Sequence, residues 1–131
     1  NEEKFRNSIY MSAVCRCYPG KNTKGSGDRV PTEVEIKKCA KWLNFEIEKL
    51  KPKLIIPVGK LAISQFLAFD KLNEVVGKKI VYSKNNYKID IVSLPHPSGL
   101  STWYKKDPGK NLLKDALEII KNNYYWQSLL R

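Results

Sequence analysis

Apolar and polar positions along the chain predict strands that alternate with helices. An apolar run at residues 9–14 predicts a first strand, and residues 54–58 predict a second that is apolar throughout, as strands of parallel sheets tend to be. Between them, apolar residues recur at helical spacing over residues 36–50. Thr32 and Glu35 have the spacing of a capping box, so the helix is expected to begin just after Thr32.

The second half of the chain continues this alternation. Gly59 predicts a turn into a short helix, and residues 79–82 and 87–94 are expected to be extended and joined by a polar turn. Strands alternating with helices predict an α/β fold around a mostly parallel sheet, and the length of 131 residues predicts one domain at most. Residues 111–126 predict one amphipathic helix whose inward residues are Leu113, Ala116, Leu117, Ile120 and Tyr124.

Composition and charge narrow the class of protein. Apolar residues make up 42% of the chain, which is enough for a hydrophobic core. Lys and Arg exceed Asp and Glu by 24 to 13, a net charge of +11 that favours a polyanionic partner, with nucleic acid ahead of an acidic membrane. No apolar run reaches the length of a membrane span, and no secretory signal is visible. The three cysteines are odd in number and unevenly spaced, which predicts reduced thiols or metal ligands.

The candidate chemistry is concentrated in the segment LPHPSGLSTWY at residues 94–104, which contains His96, the single histidine. Two prolines break the preceding strand, so His96 is expected in a loop just past its C-terminal end, where open parallel α/β sheets bind ligands. Pro97 and Gly99 stiffen and thin the backbone around Ser98, which allows a close approach to another molecule. The simpler interpretation is a structural turn.

Residues 96–101 resemble the His-Pro-Ser-x-Leu-Ser motif of the uracil-DNA glycosylase superfamily. Residues 17–20 and 29–32, with Glu35 and Cys39, resemble the Cys-Arg-Pro-Pro…Arg-x-Pro-Thr…Glu…Cys segment of its iron–sulfur branch, family 4, and residues 52–62 resemble that branch's strand–Gly–helix segment. The resemblance implies a three-layer α/β/α sandwich with a mostly parallel central sheet. Residues 1–131 are expected to be a single domain, the C-terminal two thirds of such a fold, without its first, central strand and the water-positioning residue that follows it.

The implied activity is that of a base excision repair hydrolase, which flips a damaged base, uracil, out of DNA and cleaves its N-glycosidic bond. In this scheme His96 donates a hydrogen bond to the base as negative charge develops, and Leu100 fills the space left in the duplex. The remaining DNA-binding residues implied by the motif are Pro97, Ser98, Gly99 and Ser101, and the basic residues expected to contact phosphate are Arg16, Lys21 and Arg29.

The same resemblance places Cys17 and Cys39 as two ligands of a [4Fe–4S] cluster, whose other two ligands lie in a segment that this chain lacks. Cys15 is a further candidate, but on a strand it is expected to face away from Cys17. In the base pocket, Ala13 occupies the position where family 4 has the Asn that reads uracil, and Ser12 is its neighbour. Alanine cannot make the paired contacts that distinguish uracil from cytosine, so a related base or recognition through the backbone stays open.

A catalytically inactive DNA-binding module, or a remnant of such an enzyme, is the alternative from another functional class. An iron–sulfur electron carrier is disfavoured because three cysteines are too few and the His96 loop would have no purpose. The resemblance implies a cytoplasmic prokaryotic protein, expected to be a monomer, that binds uracil-containing double- or single-stranded DNA and no membrane.

Overall fold

The computed structural model describes residues 2–98 and 101–131 of the chain. Contacts divide it into two compact units, one of Asn1–Tyr10 with Pro52–Arg131 and the other of Met11–Lys51. The expectation of a single domain stays a prediction. In chain order the elements are α1 (Glu2–Ser8), α2 (Glu33–Leu50), β1 (Leu54–Ile55), α3 (Lys60–Ser64), β2 (Lys79–Lys84), β3 (Tyr87–Val92), α4 (Gly109–Asn122) and α5 (Tyr124–Leu130), with 3₁₀ turns at Leu72–Glu74 and Trp103–Lys105.

The larger unit contains a three-stranded sheet in the order β1-β3-β2. β1 pairs with β3 in parallel, whereas β2 and β3 pair antiparallel. Asn85 and Asn86, at φ 46° and 67°, form the two-residue turn between β2 and β3, and such a turn joins only antiparallel neighbours. The predicted pair of extended segments with a polar turn is therefore confirmed. The described sheet is mixed, and a larger, mostly parallel sheet stays a prediction.

The predicted first strand at residues 9–14 is wrong. These residues, all of which the structure describes, follow helix α1 as an irregular segment without strand pairing. Tyr10 and Met11 are 59% and 79% exposed, so the apolar run that suggested a strand is not buried. A strand needs a neighbour to pair its N–H and C=O groups, and the described residues provide none for this segment.

The core of the larger unit lies on one face of β3. Val92 packs there with Ile63 of α3, with Val76 of the segment before β2 and with Ala116 of α4. All four residues are fully buried. Residues alternate along a strand, so Ile89, Ile91 and Ser93 point to the opposite face, and they are buried as well. β3 is therefore a buried strand on both faces, which is what the apolar run before the His96 loop predicted.

The predicted helix at residues 111–126 is two helices. Asn123 ends α4 in an extended conformation, and its side-chain oxygen accepts a hydrogen bond from the Tyr125 N–H at 3.0 Å to begin α5. The Asn123 amide also donates to Asp90 Oδ2 at 2.9 Å, which ties this break to β3. Tyr124, at the start of α5, is 72% exposed and Leu117, within α4, is 51% exposed, so the predictions that these two side chains point inward are wrong. Ala116 and Ile120 are buried as predicted.

The smaller unit contains α2, which begins as predicted. The Thr32 side chain accepts from the Glu35 N–H at 3.3 Å, and the Glu35 carboxylate accepts from the Thr32 N–H at 2.7 Å, which completes the capping box. The helix ends at Leu50, where Lys51 adopts a left-handed conformation and its N–H bonds to the Ile47 carbonyl. Over the described residues, no helix is long and apolar enough to cross a membrane.

Candidate functional site

The His96 loop follows directly from the parallel pairing of the sheet. Beyond β1 and β3, Val58 and Leu94 form a further parallel bridge. The Leu94 N–H donates to the Pro57 carbonyl at 3.0 Å, and the Gly59 N–H donates to the Leu94 carbonyl at 2.9 Å. Both chain segments therefore leave the sheet at the same edge, and His96 lies just past the strand end, as the sequence predicted.

Gly59 lies directly against the imidazole of His96. It is buried at φ +86°, and a Cβ added to it would be 3.4 Å from both Cβ and Cδ2 of His96. Glycine is required there for the backbone conformation, and it also allows the turn before α3 to contact the ring. The sequence indicated a turn at Gly59, but the contact with a histidine 37 positions later is a tertiary feature.

The His96 ring is exposed, and one of its nitrogens is held by the backbone. The Ser98 N–H donates to Nδ1 of His96 at 3.2 Å. Because Nδ1 accepts this bond, the proton of the neutral ring is on Nε2, which is left as an outward hydrogen-bond donor. In that tautomer the loop presents an Nε2–H donor at the strand end.

The C-terminal side of the loop is anchored by contacts that the sequence did not suggest. The Ser98 carbonyl accepts bonds from the Ser101 N–H at 3.0 Å and the Tyr104 hydroxyl at 3.4 Å. Trp103 Nε1 donates to Asn73 Oδ1 at 2.9 Å, which links this segment to the 3₁₀ turn at Leu72–Glu74. Ser98 and Ser101 are half-buried and Pro97 is exposed, whereas Gly99 and Leu100 lie outside the described residues.

A cleft of about 590 Å³ lies on this anchored side of the loop. It extends from the segment after Ser101 to the start of α4, and three lysines against two aspartates make its rim net positive. The charged residues that line it are Lys60, Lys71, Lys106, Asp70 and Asp107. The net positive rim favours an anionic ligand over a cationic one.

The three thiols belong to the smaller unit. Burial, a hydrogen bond with Cys39, and the negative charges of Cys39, Glu35 and Cys17 raise the pKa of the Cys15 thiol. The expectation that Cys15 faces away from Cys17 has no basis, because residues two apart on a strand lie on the same face and because residues 15–17 bend instead of forming a strand. Within the described part of the chain, no group of three or more His, Cys, Asp or Glu side chains is arranged to hold a metal ion. Cys17 and Cys39 as ligands stay a prediction.

Two of the predicted phosphate contacts are paired with carboxylates in the smaller unit. Arg29 donates to both carboxylate oxygens of Glu35, at 3.1 and 2.8 Å, and to the Pro19 carbonyl at 2.8 Å. Arg16 forms an ion pair with Glu46. The Arg29 contacts lie at the N-terminal end of α2 and the Arg16 ion pair lies near its C-terminal end, so neither guanidinium is presented as an open phosphate ligand. Their role in DNA binding stays a prediction.

The other predicted residues of this unit are at its surface. Lys21 is exposed and pairs through its backbone with Asp28, which closes the loop before Arg29. Ser12 and Ala13 are exposed in the irregular segment after α1. Their assignment to a base pocket also stays a prediction.

The carboxyl of Glu35 is expected to titrate far below its usual range. The Arg29 guanidinium, followed by the Thr32 N–H, lowers the pKa of Glu35 from 4.5 to about 2. A lowered folded-state pKa means that this contribution to stability is present above pH 4.5 and is lost as the pH falls through about 2. A carbon-detected NMR titration of the Glu35 carboxyl checks the value.

The matched control for this titration is Arg29→Gln. Without the guanidinium, the pKa of Glu35 is expected to move back toward 4.5, while the bond from the Thr32 N–H stays in place. An unchanged pKa in Arg29→Gln would show that the ion pair is not the cause.

The amino-acid sequence of this chain is similar to one protein family and to several known proteins. The sequence model of the Uracil DNA glycosylase superfamily matches residues 2–121. The type-4 uracil-DNA glycosylase of Archaeoglobus fulgidus is 28% identical over 101 residues, 72% of this chain and 47% of that protein. That of Sulfurisphaera tokodaii is 26% identical over 119 residues, 87% of this chain and 50% of that protein. The type-5 uracil-DNA glycosylase of Pyrobaculum aerophilum is 32% identical over 54 residues, 41% of this chain and 21% of that protein. The chain spans about half the length of the type-4 relatives.

Proposed function

The chain belongs to the uracil DNA glycosylase superfamily, and on that premise we propose that it is a DNA repair hydrolase that flips uracil out of DNA and cleaves its N-glycosidic bond. The observation that carries this proposal is the donor geometry of His96, whose Nδ1 accepts a bond from the Ser98 N–H at 3.2 Å. The bond to be cleaved is inaccessible in stacked DNA, so the nucleotide must leave the helix before reaction.

His96 acts on the leaving base. As the bond between the sugar and the base breaks, the electron pair moves onto the base, and negative charge collects on its carbonyl oxygen. A neutral imidazole whose Nε2–H points at that oxygen stabilises the charge without a proton transfer. The Ser98 N–H keeps the ring in this tautomer, and Gly59 limits its position from the side. Both contacts are made by the chain itself, as preorganised donors require.

The loop around His96 holds the DNA strand in this proposal. Pro97, Ser98, Gly99 and Ser101 contact the backbone near the flipped nucleotide, and Leu100 occupies the space that the base leaves. The phosphate contact in the smaller unit is assigned first to Lys21, because Glu46 and Glu35 hold the guanidinium groups of Arg16 and Arg29. Ser12 and Ala13 are assigned to the base pocket, with uracil as the preferred base.

The finer architecture belongs to the same proposal. We assign the chain to a three-layer α/β/α sandwich with a mostly parallel central sheet, of which the first, central strand is not among the described strands. The parallel β1–β3 pair and the burial of both faces of β3 support this assignment, because a strand in a sandwich is covered on both sides. We further propose a monomer in the prokaryotic cytoplasm that binds uracil-containing DNA.

The cysteines of this chain do not complete a [4Fe–4S] ligand set. Such a cluster takes four thiolates, and the sequence has three cysteines, of which Cys15 forms a hydrogen bond with Cys39. We propose that Cys17 and Cys39 supply two of the four ligands and that the others would come from outside the 131 residues. The chemistry assigned above to His96 does not depend on a cluster.

Serine substitutions of the cysteines test this assignment. In a protein that contains these 131 residues together with the other two ligands, anaerobic treatment with iron and sulfide is expected to give bound iron with a broad visible absorption, which Cys17→Ser and Cys39→Ser lose because each removes a thiolate ligand. Cys15→Ser is the matched control and is expected to retain both. Iron loss in Cys15→Ser with retention in Cys17→Ser would exchange the roles of these two cysteines.

The proposed activity is tested with the chain on oligonucleotides that carry one deoxyuridine in single-stranded, U·G and U·A contexts. Alkali-sensitive cleavage at the uracil position, absent with thymine at that position, is the expected result. If the chain binds an abasic-site analogue but does not release uracil from any of the three substrates, the alternative of an inactive DNA-binding module is favoured.

A further inference from the structure

Helix α2 has an exposed stripe that the glycosylase site does not use. Val34, Trp42 and Phe45 are 62%, 53% and 54% exposed, although they lie on a helix that buries Ile47 on its other face. With 3.6 residues per turn, they fall with three exposed lysines into an arc of roughly 100°. We call this set the outer stripe: Val34, Lys38, Lys41, Trp42, Phe45 and Lys49.

The charges of the outer stripe are all positive. It contains three lysines and no acidic residue. The acidic side chains next to it along one edge are Glu35 and Glu46, and their carboxylates are paired with Arg29 and Arg16. Along the other edge lies the exposed Glu48, so an anionic ligand on the stripe meets three lysines and one exposed carboxylate at the border.

Each aromatic ring of the stripe has its own lysine. The Lys41 Nζ is 5.1 Å from the centroid of the Trp42 ring, and the Lys49 Nζ is 5.7 Å from that of Phe45. Residues three apart on a helix have Cβ atoms about 5–6 Å from each other, so Trp42 and Phe45 offer two neighbouring stacking surfaces. In each pair the ammonium group lies over the ring, so a base that stacks there displaces the lysine toward the phosphate of its own nucleotide.

We propose that the outer stripe of α2 binds single-stranded nucleic acid by stacking two bases on Trp42 and Phe45 and pairing the backbone with its lysines. Duplex DNA does not fit, because its base faces are covered by their neighbours in the stack. A protein partner fits less well, because protein interfaces are depleted of lysine. The net charge of +11 adds a general attraction for such a polyanion. This site is independent of the proposed glycosylase activity, since it requires neither uracil nor His96.

The test uses a labelled, uracil-free (dT)₈ oligonucleotide and the 131-residue chain in a fluorescence anisotropy titration at low salt. Trp42→Ala and Phe45→Ala are each expected to weaken binding about 5- to 150-fold, the factor for the loss of one stacked base. Trp42→Leu keeps apolar bulk but has no ring, and it is expected to weaken binding similarly. Tyr124→Ala removes an aromatic residue that is 72% exposed elsewhere, and it is expected to bind like the parent chain.

Two neighbouring lysines provide a matched charge control. Lys38→Gln is expected to make the slope of log K against log salt shallower by about 0.7, the value for one phosphate contact on a single strand. Lys37→Gln makes the same charge change on the same helix but outside the stripe, and the slope should stay at its parent value. Circular dichroism is the folding control. Helix content is expected to be the same in all variants, so weaker binding is then due to lost contacts and not to unfolding.

The proposal is overturned if (dT)₈ binds Trp42→Ala, Phe45→Ala and the parent chain equally. It is also overturned if a polyglutamate peptide binds the parent in a Trp42-dependent manner while (dT)₈ does not, because the stripe would then accept an acidic protein. Since the probe contains no uracil, a chain that fails to cleave uracil-containing DNA can still bind (dT)₈ through the outer stripe. Likewise, a chain that does not bind (dT)₈ through the outer stripe can still cleave uracil-containing DNA.

Discussion

Replacing His96 by alanine is expected to lower the single-turnover rate of uracil release by about 10²–10³, the usual effect of losing one donor aimed at charge that develops in the transition state. The affinity for DNA should change little, because the Nε2–H meets its full charge partner only as the bond breaks. The measurement is cleavage of a deoxyuridine oligonucleotide at saturating enzyme, with the dissociation constant measured separately on an abasic-site analogue.

Ser98→Ala is the matched variant for this experiment. It removes the hydroxyl assigned to the DNA backbone but keeps the N–H that holds Nδ1 of His96. We expect it to weaken DNA binding and to leave the single-turnover rate at saturation near that of the parent. If His96→Ala cleaves at the parent rate, the loop is only a turn, and the assignment of the reaction to it fails.

Replacing Gly109 by alanine is expected to destabilise the larger unit by about 1–3 kcal/mol or more, the usual range for overpacking a filled interior. A Cβ at Gly109 would be 2.0 Å from the carbonyl oxygen of Trp103 and 2.8 Å from its Cδ2. The first of these neighbours is backbone, so the 3₁₀ turn at Trp103–Lys105 has to move away from the start of α4. Urea unfolding followed by circular dichroism measures the loss as a lower midpoint.

Gly25→Ala is the control for this substitution. Its added Cβ has a nearest neighbour 3.8 Å away, the side chain of Asn22, and Gly25 does not have a positive φ. We expect a change within about 0.5 kcal/mol, as for other surface substitutions. An equally stable Gly109→Ala would contradict the close packing of α4 against Trp103. If Gly109→Ala is destabilised and still releases uracil at the parent rate below its unfolding midpoint, the anchored side of the loop does not position His96.

The features predicted correctly from the sequence are those set by local chemistry. The capping box of Thr32 and Glu35 forms because both partners lie within one helical turn. The turn at Asn85 and Asn86 forms because asparagine tolerates positive φ, and it makes the antiparallel pairing of β2 and β3 follow. The position of the His96 loop was predictable because an apolar strand and two prolines are adjacent in the sequence.

The wrong predictions concern residues whose state depends on distant partners. Residues 9–14 have a strand-like pattern, but a strand forms only with a paired neighbour, and none of the described strands pairs with them. The helix predicted at residues 111–126 is broken because Asn123 finds Asp90, 33 positions earlier, and caps α5 instead of continuing α4. Local periodicity contains no information about either partner.

In the candidate site, too, some features follow from the local sequence and others depend on distant partners. By itself, the sequence determined which residues have suitable chemistry: one histidine in a proline-bounded loop, three thiols and an excess of lysine. Only the tertiary structure decided how they are used, because Ser98 orients the His96 ring, Gly59 contacts it, and Glu35 and Glu46 hold Arg29 and Arg16. The physical reason is the distance along the sequence over which each effect acts. Side-chain type and backbone preference act within a few residues, whereas hydrogen bonds and close packing join residues that only folding brings together.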